Sequence, residues 1–527
     1  MWSEAKYYAG MARGIWSYTG MPSTLDPLGV LRERVQTREA AFLHLAREAA
    51  YEVRDSSLRQ LLVLAGCEYA DLESMVRSRG LEASLRVLSD AGVYLTQDEF
   101  KGRVPIVRHG KEIPGGEGRF RNPLVSGGIE SRSSGSRSGR GTPTPKGTAF
   151  QVYRDVHDRL WEEEYELAGA EWLQLRPILP SQTGLSGALR AGRRGNPMQK
   201  WFTTPTTMTE EGHYRLATTT MIALARLRGI KVPFPTILPD NNFDPVARHI
   251  AGKKCAVLAF ASPAVRIANP AISLGLDLRG TTFFSGGEAT SPAKRAIVDR
   301  SGARMMTIYH ISEVGPIGYG CRHMSNNDVH LLMDSVAAIT RSRALPFDEG
   351  QQIDSLAFTT LLPFAPRFLI NTEMDDTGEI SEVANCGCVF GRLGMNTVIR
   401  NVASFGKLTG QGMTLYGVDI LKILEHAMPE RFGGCPGDYQ LVENDTGVQT
   451  EMELRVSPRA GQDNLDLGLV REYFLEQLKH YYGGRVAARV WNHASAICAV
   501  RKEPIATYTG KVLPLALAGA KNRRNNS

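Results

Sequence analysis

Apolar residues recur at three- and four-residue steps between residues 30 and 100. Leu31, Val35, Phe42, Leu43 and Leu45, then Leu58, Leu61, Leu62 and Leu64, fall on one helical face at this spacing. The pattern predicts a helical lead-in that packs on a larger body. Between 210 and 310 the pattern changes: helix-like stretches at 211–229 and 291–301 alternate with short apolar runs at 255–260 and 305–309. Such runs between helices predict an α/β architecture. Residues 354–360 and 367–370 are further predicted strands. A glycine-rich stretch follows (Gly406, Gly410, Gly412, Gly417). Beyond it, residues 420–427 and 467–481 are helix-like, while 438–442 and 450–456 are strand-like. That alternation predicts a second, smaller α+β domain. The expected organisation is a lead-in over 1–110, a large domain over 111–405 and a small C-terminal domain over 406–527.

Composition narrows the function classes. Of 527 residues, 42% are hydrophobic and 22% charged, the balance of a globular protein rather than a disordered one. No run of about 18 apolar residues occurs, so no membrane span is expected. Residues 1–6 lack a basic region followed by an apolar stretch, so no secretory signal is expected either. A net charge of +7 is small for this length. It suits an enzyme of anionic substrates better than a nucleic-acid binder with a dedicated basic face. Seven cysteines spread over a long chain are not a disulfide framework. A reducing cytoplasm is the expected compartment.

Three segments carry candidate chemistry. Ser133, Ser134, Gly135 and Ser136, with Arg137 and Arg140 close behind, form a small basic loop. Glycines there let the backbone approach a phosphate, and hydroxyls and N–H groups can cradle its oxygens. By composition the same loop also reads as a flexible linker. The second segment is Phe283-Phe284-Ser285-Gly286-Gly287-Glu288, followed by Tyr309 to Gly315. Both follow apolar runs, where strands end and ligands bind in open α/β sheets. Tyr309 offers a stacking face, Ser312 a bond to phosphate, and Glu313 a magnesium ligand. The third is Thr509-Gly510-Lys511, whose lysine can reach into a cleft and balance developing negative charge. No proper dinucleotide fingerprint and no nucleophile elbow are found.

Taken in order, these segments resemble the acyl-adenylate-forming superfamily, nearest its phenylacetate–CoA ligase and coenzyme F390 synthetase branch. The resemblance runs from about residue 120 to 515. It implies a large N-terminal domain and a small mobile C-terminal one. It also implies a two-step reaction, in which a carboxylate attacks the α-phosphorus of ATP and an acceptor then displaces AMP. Ser133, Ser134, Gly135, Ser136 and Arg140 would hold phosphate. Gly286, Gly287, Glu288 and Tyr309 would flank adenine, and Ser312 would help to bind ATP. Glu313 would hold Mg2+, Glu373 the ribose, and Lys511 the charge on the α-phosphate. Trp201, Phe202, Phe260 and Phe283 are the expected aryl pocket.

Two departures from the family pattern bear on the acceptor. The Gly-Arg that precedes the family's hinge appears as Gly406-Lys407, which leaves Lys407 as the ATP-site cation. The hinge aspartate has no counterpart in 408–412. In the family that hinge prepares the step with coenzyme A, so an amine acceptor is expected instead. With the helical N-terminus and total length, this resembles the aminocoumarin antibiotic amide synthetases of the novobiocic acid synthetase type. Those enzymes join a prenylated 4-hydroxybenzoate to an aminocoumarin amine. An aryl-acid–CoA ligase and a degenerate nucleotide-binding protein are the competing readings.

A zinc site is also expected. Cys386 and Cys388 form a close thiol pair, and Cys321, His323 and His330 lie after the Tyr309 segment. Three thiols and an imidazole make a tetrahedral zinc set. His330 is preferred over His323 because 328–331 has the pattern of a strand start. The pair also matches the Cys-Pro-Cys-Gly element of the phenylacetate ligase branch, which implies a structural Zn2+.

Overall fold

The computed structural model describes all residues except 1, 126–128, 133–142, 147, 206–211, 240–241, 289, 325–326, 346–347, 385, 405–406, 411–412, 446–449, 482–487, 489–496, 508–510 and 519–527. Its centre is a twelve-stranded mixed sheet. Along one half, Pro235–Ile237, Lys200–Thr203, Glu171–Leu175, Cys255–Ala259, Thr281–Gly286 and Arg304–Ile311 are neighbours and pair in parallel. The other half, from Gly315–Tyr319 to the long hairpin Val336–Leu345 and Asp348–Thr360, is antiparallel.

The parallel strands are apolar runs because both faces are covered. Trp172, Phe284, Met306 and Tyr319 point to one side, against helices Thr148–Glu164 and Thr183–Arg193. Leu173, Leu175, Val257 and Phe283 point to the other, against helices Asp244–Ile250 and Ala261–Ser273. All five residues of Cys255–Ala259 are buried.

The lead-in helices share a core with the antiparallel half. Phe42, Leu45, Leu62, Leu72, Leu85 and Phe100 pack with Val336, Phe358, Leu369 and Ile399. That core continues past residue 110 through Ile113 to Phe120, across the hairpin Ile106–Arg108 and Lys111–Ile113. Asn371 ties the two parts. Its buried side-chain amide donates to the carbonyls of Leu85 at 2.8 Å and Val93 at 3.0 Å. Its backbone has φ +44°, a left-handed conformation that asparagine tolerates better than most residues.

The turn at Asn371 also corrects one expectation. Residues 367–370 are not a ladder strand. Arg367 makes an isolated bridge with Arg121, Phe368 N bonds Phe120 O at 3.0 Å, and the strand begins only at Thr372. The basic loop is flanked by Ile129–Arg132 and Pro143–Lys146, which pair antiparallel, so its ends are ordered as strands.

The small domain has its own core. Ile420, Leu424, Leu441, Leu454, Val470 and Phe474 form a cluster that includes nothing from the large sheet. Its four-stranded sheet runs in the order Ile497–Arg501, Thr450–Val456, Tyr439–Asp445 and Leu515–Ala518. Among the described residues no helix is long and apolar enough to cross a membrane.

Replacing Asn371 with alanine would strand two buried carbonyls, each costing about 1–3 kcal/mol. A loss of roughly 2–5 kcal/mol in unfolding free energy is expected, read as a lower denaturant midpoint. An unchanged midpoint would mean the lead-in is not joined through this residue.

Candidate functional site

Arg176, Phe260 and Gly287 each follow the last residue of three adjacent parallel strands. This is the carboxyl edge where an open α/β sheet binds ligands. The two glycines here are required by close approach. A Cβ on Gly286 would lie 2.7 Å from the Ile308 carbonyl oxygen. Gly287 has φ +82°, and a Cβ there would lie 3.0 Å from both Cε and Nζ of Lys511. The lysine of the small domain therefore rests on the Gly-Gly turn of the large one. Its ammonium lies 5.7 Å from the centre of the Phe260 ring. Burial pushes the Lys511 pKa down, Glu288 opposes that shift, and Arg176 adds to it.

The loop that carries Lys511 is closed on itself. Thr507 N bonds Lys511 O at 2.7 Å, and Lys511 N bonds the Thr507 hydroxyl at 3.1 Å. Glu288 then fastens it to the large domain. One carboxylate oxygen accepts from Val512 N at 2.8 Å, and the other accepts from Ser262 N at 2.7 Å. Ser262 lies in the first turn of helix Ala261–Ser273, where exposed N–H groups favour an anion. Glu288 was expected beside adenine. Both its oxygens are instead committed to backbone donors on two domains.

Tyr309 lies one residue beyond the Ile308–Gly286 pair, next to the glycine turn. Its hydroxyl donates to Asp376 at 2.7 Å. Burial, reinforced by Asp376, pushes that phenol's pKa well up. The expected ribose ligand, Glu373, has a different environment. It is wholly buried, with Arg341 at 2.7 Å and Arg343 at 3.0 Å. Burial raises its pKa and the two arginines oppose the rise. Asp376 is thus the carboxylate of this segment that reaches Tyr309. The doublet Asp375-Asp376 was a visible signal for it.

Ser312 is partly exposed in the turn before Gly315. Glu313 is buried beside it and accepts from Lys101 at 2.5 Å. Lys101 also bonds Glu117 at 2.7 Å, and Glu117 pairs with Arg367 at 2.6 Å. Glu313, the expected magnesium ligand, is therefore already neutralised by an ammonium of the lead-in. The sequence hid this partner, which is 212 residues away.

Of the expected aryl pocket, Phe260 is the member that meets the lysine. Trp201, Phe202 and Phe283 are packed in the two cores beneath the strands. Trp201 fills the space over Gly184, and its indole N–H donates to the Arg176 carbonyl at 2.8 Å. Ser133, Ser134, Gly135, Ser136 and Arg140 lie outside the described residues. Lys407 begins a strand, Lys407–Gly410, that pairs with Met413–Tyr416.

A second site lies where the sheet turns from parallel to antiparallel. Ligand atoms of Cys321, His330, Cys386 and Cys388 all lie within 4.8 Å of one another. Cys321 Sγ and Cys386 Sγ are 3.7 Å apart, and Cys388 Sγ is 3.2 Å from His330 Nε2. Bonds of about 2.3 Å to a tetrahedral zinc place sulfurs roughly 3.8 Å apart. His330 Nδ1 is 2.9 Å from the Met395 carbonyl, which can only accept. Nδ1 therefore carries the proton, and the Nε2 lone pair faces the thiols, as a zinc ligand requires. The Cys388 thiol is pushed down, chiefly by its contact with Cys321, and that of Cys321 is pushed up by the same contact. His323 is not part of the cluster.

No family model matches this sequence, and no curated protein matches it. Among solved structures the chain is similar to 2-hydroxyisobutyryl-CoA ligase in complex with 2-HIB-AMP and CoA. The identity is 15%, covering 92% of this chain and 90% of that one, with a TM-score of 0.42. It is similar to the amide bond synthetase McbA from Marinactinospora thermotolerans at 12% identity, covering 91% and 92%, with a TM-score of 0.38. ATP-bound MatB from Rhodopseudomonas palustris is similar at 12% identity, covering 86% and 90%, with a TM-score of 0.39.

Two outcomes are expected. Purified protein should contain about one zinc per chain, and Cys388→Ser should lose it together with several degrees of melting temperature. Zinc-free protein of unchanged stability would refute the site. Glu288→Gln replaces one acceptor with an amide donor facing a backbone N–H. The Lys511 loop should then become more susceptible to limited proteolysis, whereas the large domain should not.

Proposed function

We propose that the chain is an ATP-dependent, acyl-adenylate-forming ligase that joins an aryl carboxylic acid to an amine. The observation that carries the reading is the seat of Lys511, an enclosed lysine of the small domain held on the Gly286-Gly287 turn of the large one. Phosphoryl chemistry of this kind needs positioning and charge rather than a side-chain nucleophile. The site provides both.

In the first step an oxygen of the acid attacks the α-phosphorus of ATP. The bond to the β-phosphate breaks and pyrophosphate leaves. Lys511 holds the negative charge that builds on the α-phosphate and the attacking carboxylate. The backbone at Gly286-Gly287 permits close approach of the flat adenine. Tyr309, fixed by Asp376, forms the adjoining wall. Glu313 would hold magnesium, which would supply charge neutralisation at the phosphates, once Lys101 releases that carboxylate. In the second step the amine nitrogen attacks the acyl carbon, AMP departs and the nitrogen loses its proton. Cys321, His330, Cys386 and Cys388 would hold a structural zinc that anchors the loop after the Gly315–Tyr319 strand.

The amine acceptor is favoured by the altered segment at 406–412, and the resemblance names the pair as a prenylated 4-hydroxybenzoate and an aminocoumarin. Such chemistry belongs to antibiotic biosynthesis, and a cytoplasmic setting suits its free thiols.

Carboxylate-dependent exchange of pyrophosphate into ATP tests the reading. Exchange with at least one aryl acid is expected. Lys511→Ala should lower it about 100-fold with little change in melting temperature. Unchanged exchange in that variant would remove the lysine from the mechanism. Thioester formation with coenzyme A at a rate comparable to amide formation would replace the amine reading.

A further inference from the structure

The lysine that neutralises Glu313 is set in place by backbone geometry. Lys101 ends the short helix Gln97–Lys101, whose start is fixed by a reciprocal pair. Glu99 N donates to the Thr96 hydroxyl at 3.3 Å, and the Glu99 carboxylate accepts from Thr96 N at 2.8 Å. The helix stops at Gly102, which has φ +71°. A Cβ there would lie 3.0 Å from Gly116 Cα, so the two stretches of chain cross in contact. That crossing sets Lys101 against Glu117, the residue after Gly116.

Four charged side chains then close on one another. Lys101 Nζ bridges Glu117 at 2.7 Å and Glu313 at 2.5 Å, and Arg367 pairs with the other oxygen of Glu117 at 2.6 Å. Their side chains are enclosed, at 18% exposure for Lys101, 10% for Glu313 and 3% for Arg367. Lys101 is the only ion-pair partner of Glu313 among the described residues. Two cations meet two carboxylates, so the group is formally neutral.

That neutrality decides what can join it. A divalent cation brought to Glu313 alone would have to expel the ammonium and would add two unanswered charges to an enclosed place. A triphosphate reverses both effects. It supplies the missing negative charge, and it gives the ammonium a new anion. Lys101 can make the exchange without losing every partner, because Glu117 still holds it. An ammonium on a flexible stem has three donors to share.

The lead-in brings this lysine to the wall already described for the nucleotide. Leu95 N bonds Asn371 O at 3.2 Å, and Glu373 N bonds Leu95 O at 2.8 Å. The strand that begins at Thr372 carries Asp376, which fixes Tyr309. Glu313 lies two residues beyond the strand of Tyr309, Arg304–Ile311. Residues 95–101 therefore run from the Asp376 strand to the turn that carries Glu313.

We propose that Lys101 binds the phosphates of the nucleotide and thereby couples metal entry to nucleotide entry. Without nucleotide its ammonium closes Glu313 to a divalent cation. With nucleotide the ammonium passes to a phosphate oxygen, keeps Glu117, and leaves Glu313 open. This rests on the adenylation reading, in which Glu313 lies at the phosphates, and adds a lead-in residue to that site.

The test uses zinc-loaded full chain without acid substrate. Binding of Mn2+ alone, as the probe for magnesium, is read by electron paramagnetic resonance. Binding of ATP without added divalent metal is read by calorimetry. Lys101→Met should bind Mn2+ alone about tenfold more tightly than the wild type, and metal-free ATP about tenfold more weakly. Glu313→Gln sets the ammonium free, so it should bind metal-free ATP more tightly than the wild type and gain no Mn2+ binding. A strut without a ligand role would lower the melting temperature of both variants and produce neither shift. Unchanged Mn2+ binding or unchanged ATP binding in Lys101→Met would overturn the proposal. Should that variant fail to fold, unchanged or weaker ATP binding by Glu313→Gln would do the same. Pyrophosphate exchange separates this result from the parent reading. The expected shifts without exchange by any acid would uphold the role of Lys101 and sink adenylation. Exchange with neither shift would do the reverse, and no ATP binding by the wild type would sink both.

Discussion

The contact on which the site depends is the carboxylate of Glu288 between two backbone N–H groups. One belongs to the first turn of a large-domain helix, the other to Val512 beside Lys511. The two domains have separate hydrophobic cores, so apolar burial does not place the lysine. Polar ties do. Lys294 pairs with Glu425 at 2.7 Å, and the Ser291 hydroxyl reaches the same carboxylate. Asn269 reaches Cys435 across the same seam. A seam of this kind can open into water and re-form, because each group finds a substitute partner in solvent. An apolar seam would resist the same movement.

Charge balance explains much of the rest. The partners of each carboxylate show what it does. Glu313 holds Lys101, and the cysteine–histidine cluster sets three sulfurs against one imidazole. Fully paired groups mark structure: Glu373 between Arg341 and Arg343 is a buried strut of the long hairpin. A carboxylate's place in the sequence did not distinguish these cases. Its neighbours in space did.

Much of the architecture was legible because periodicity is a local property. The apolar runs became the parallel strands, and the 420–478 pattern became the helices of the small domain. The Gly-Gly turn and the four zinc-type side chains were visible from residue type and order. What escaped depends on distant pairing. Residues 367–370 have a strand's composition, yet Asn371 turns the chain, and Phe120 supplies the bond that a ladder would have made. Trp201 and Phe283 have the composition of an aryl pocket, yet strand alternation turns them into the cores. Lys101 gave no signal at all, since nothing around it in the chain foretells Glu313.

The separate cores have a consequence for how such a chain can change over generations. Substitutions far apart and without shared neighbours add almost independently. A repacked Leu454 or Phe474 therefore leaves the energetics of Phe284 and Trp172 nearly untouched, and the reverse holds. Selection can adjust the rigidity of one half without disturbing the other, provided the few polar ties across the seam survive. Glu288 and Val512 are thus a narrow bridge between two parts that drift at their own pace. Because the Val512 tie is a backbone N–H, almost any side chain at that position preserves it.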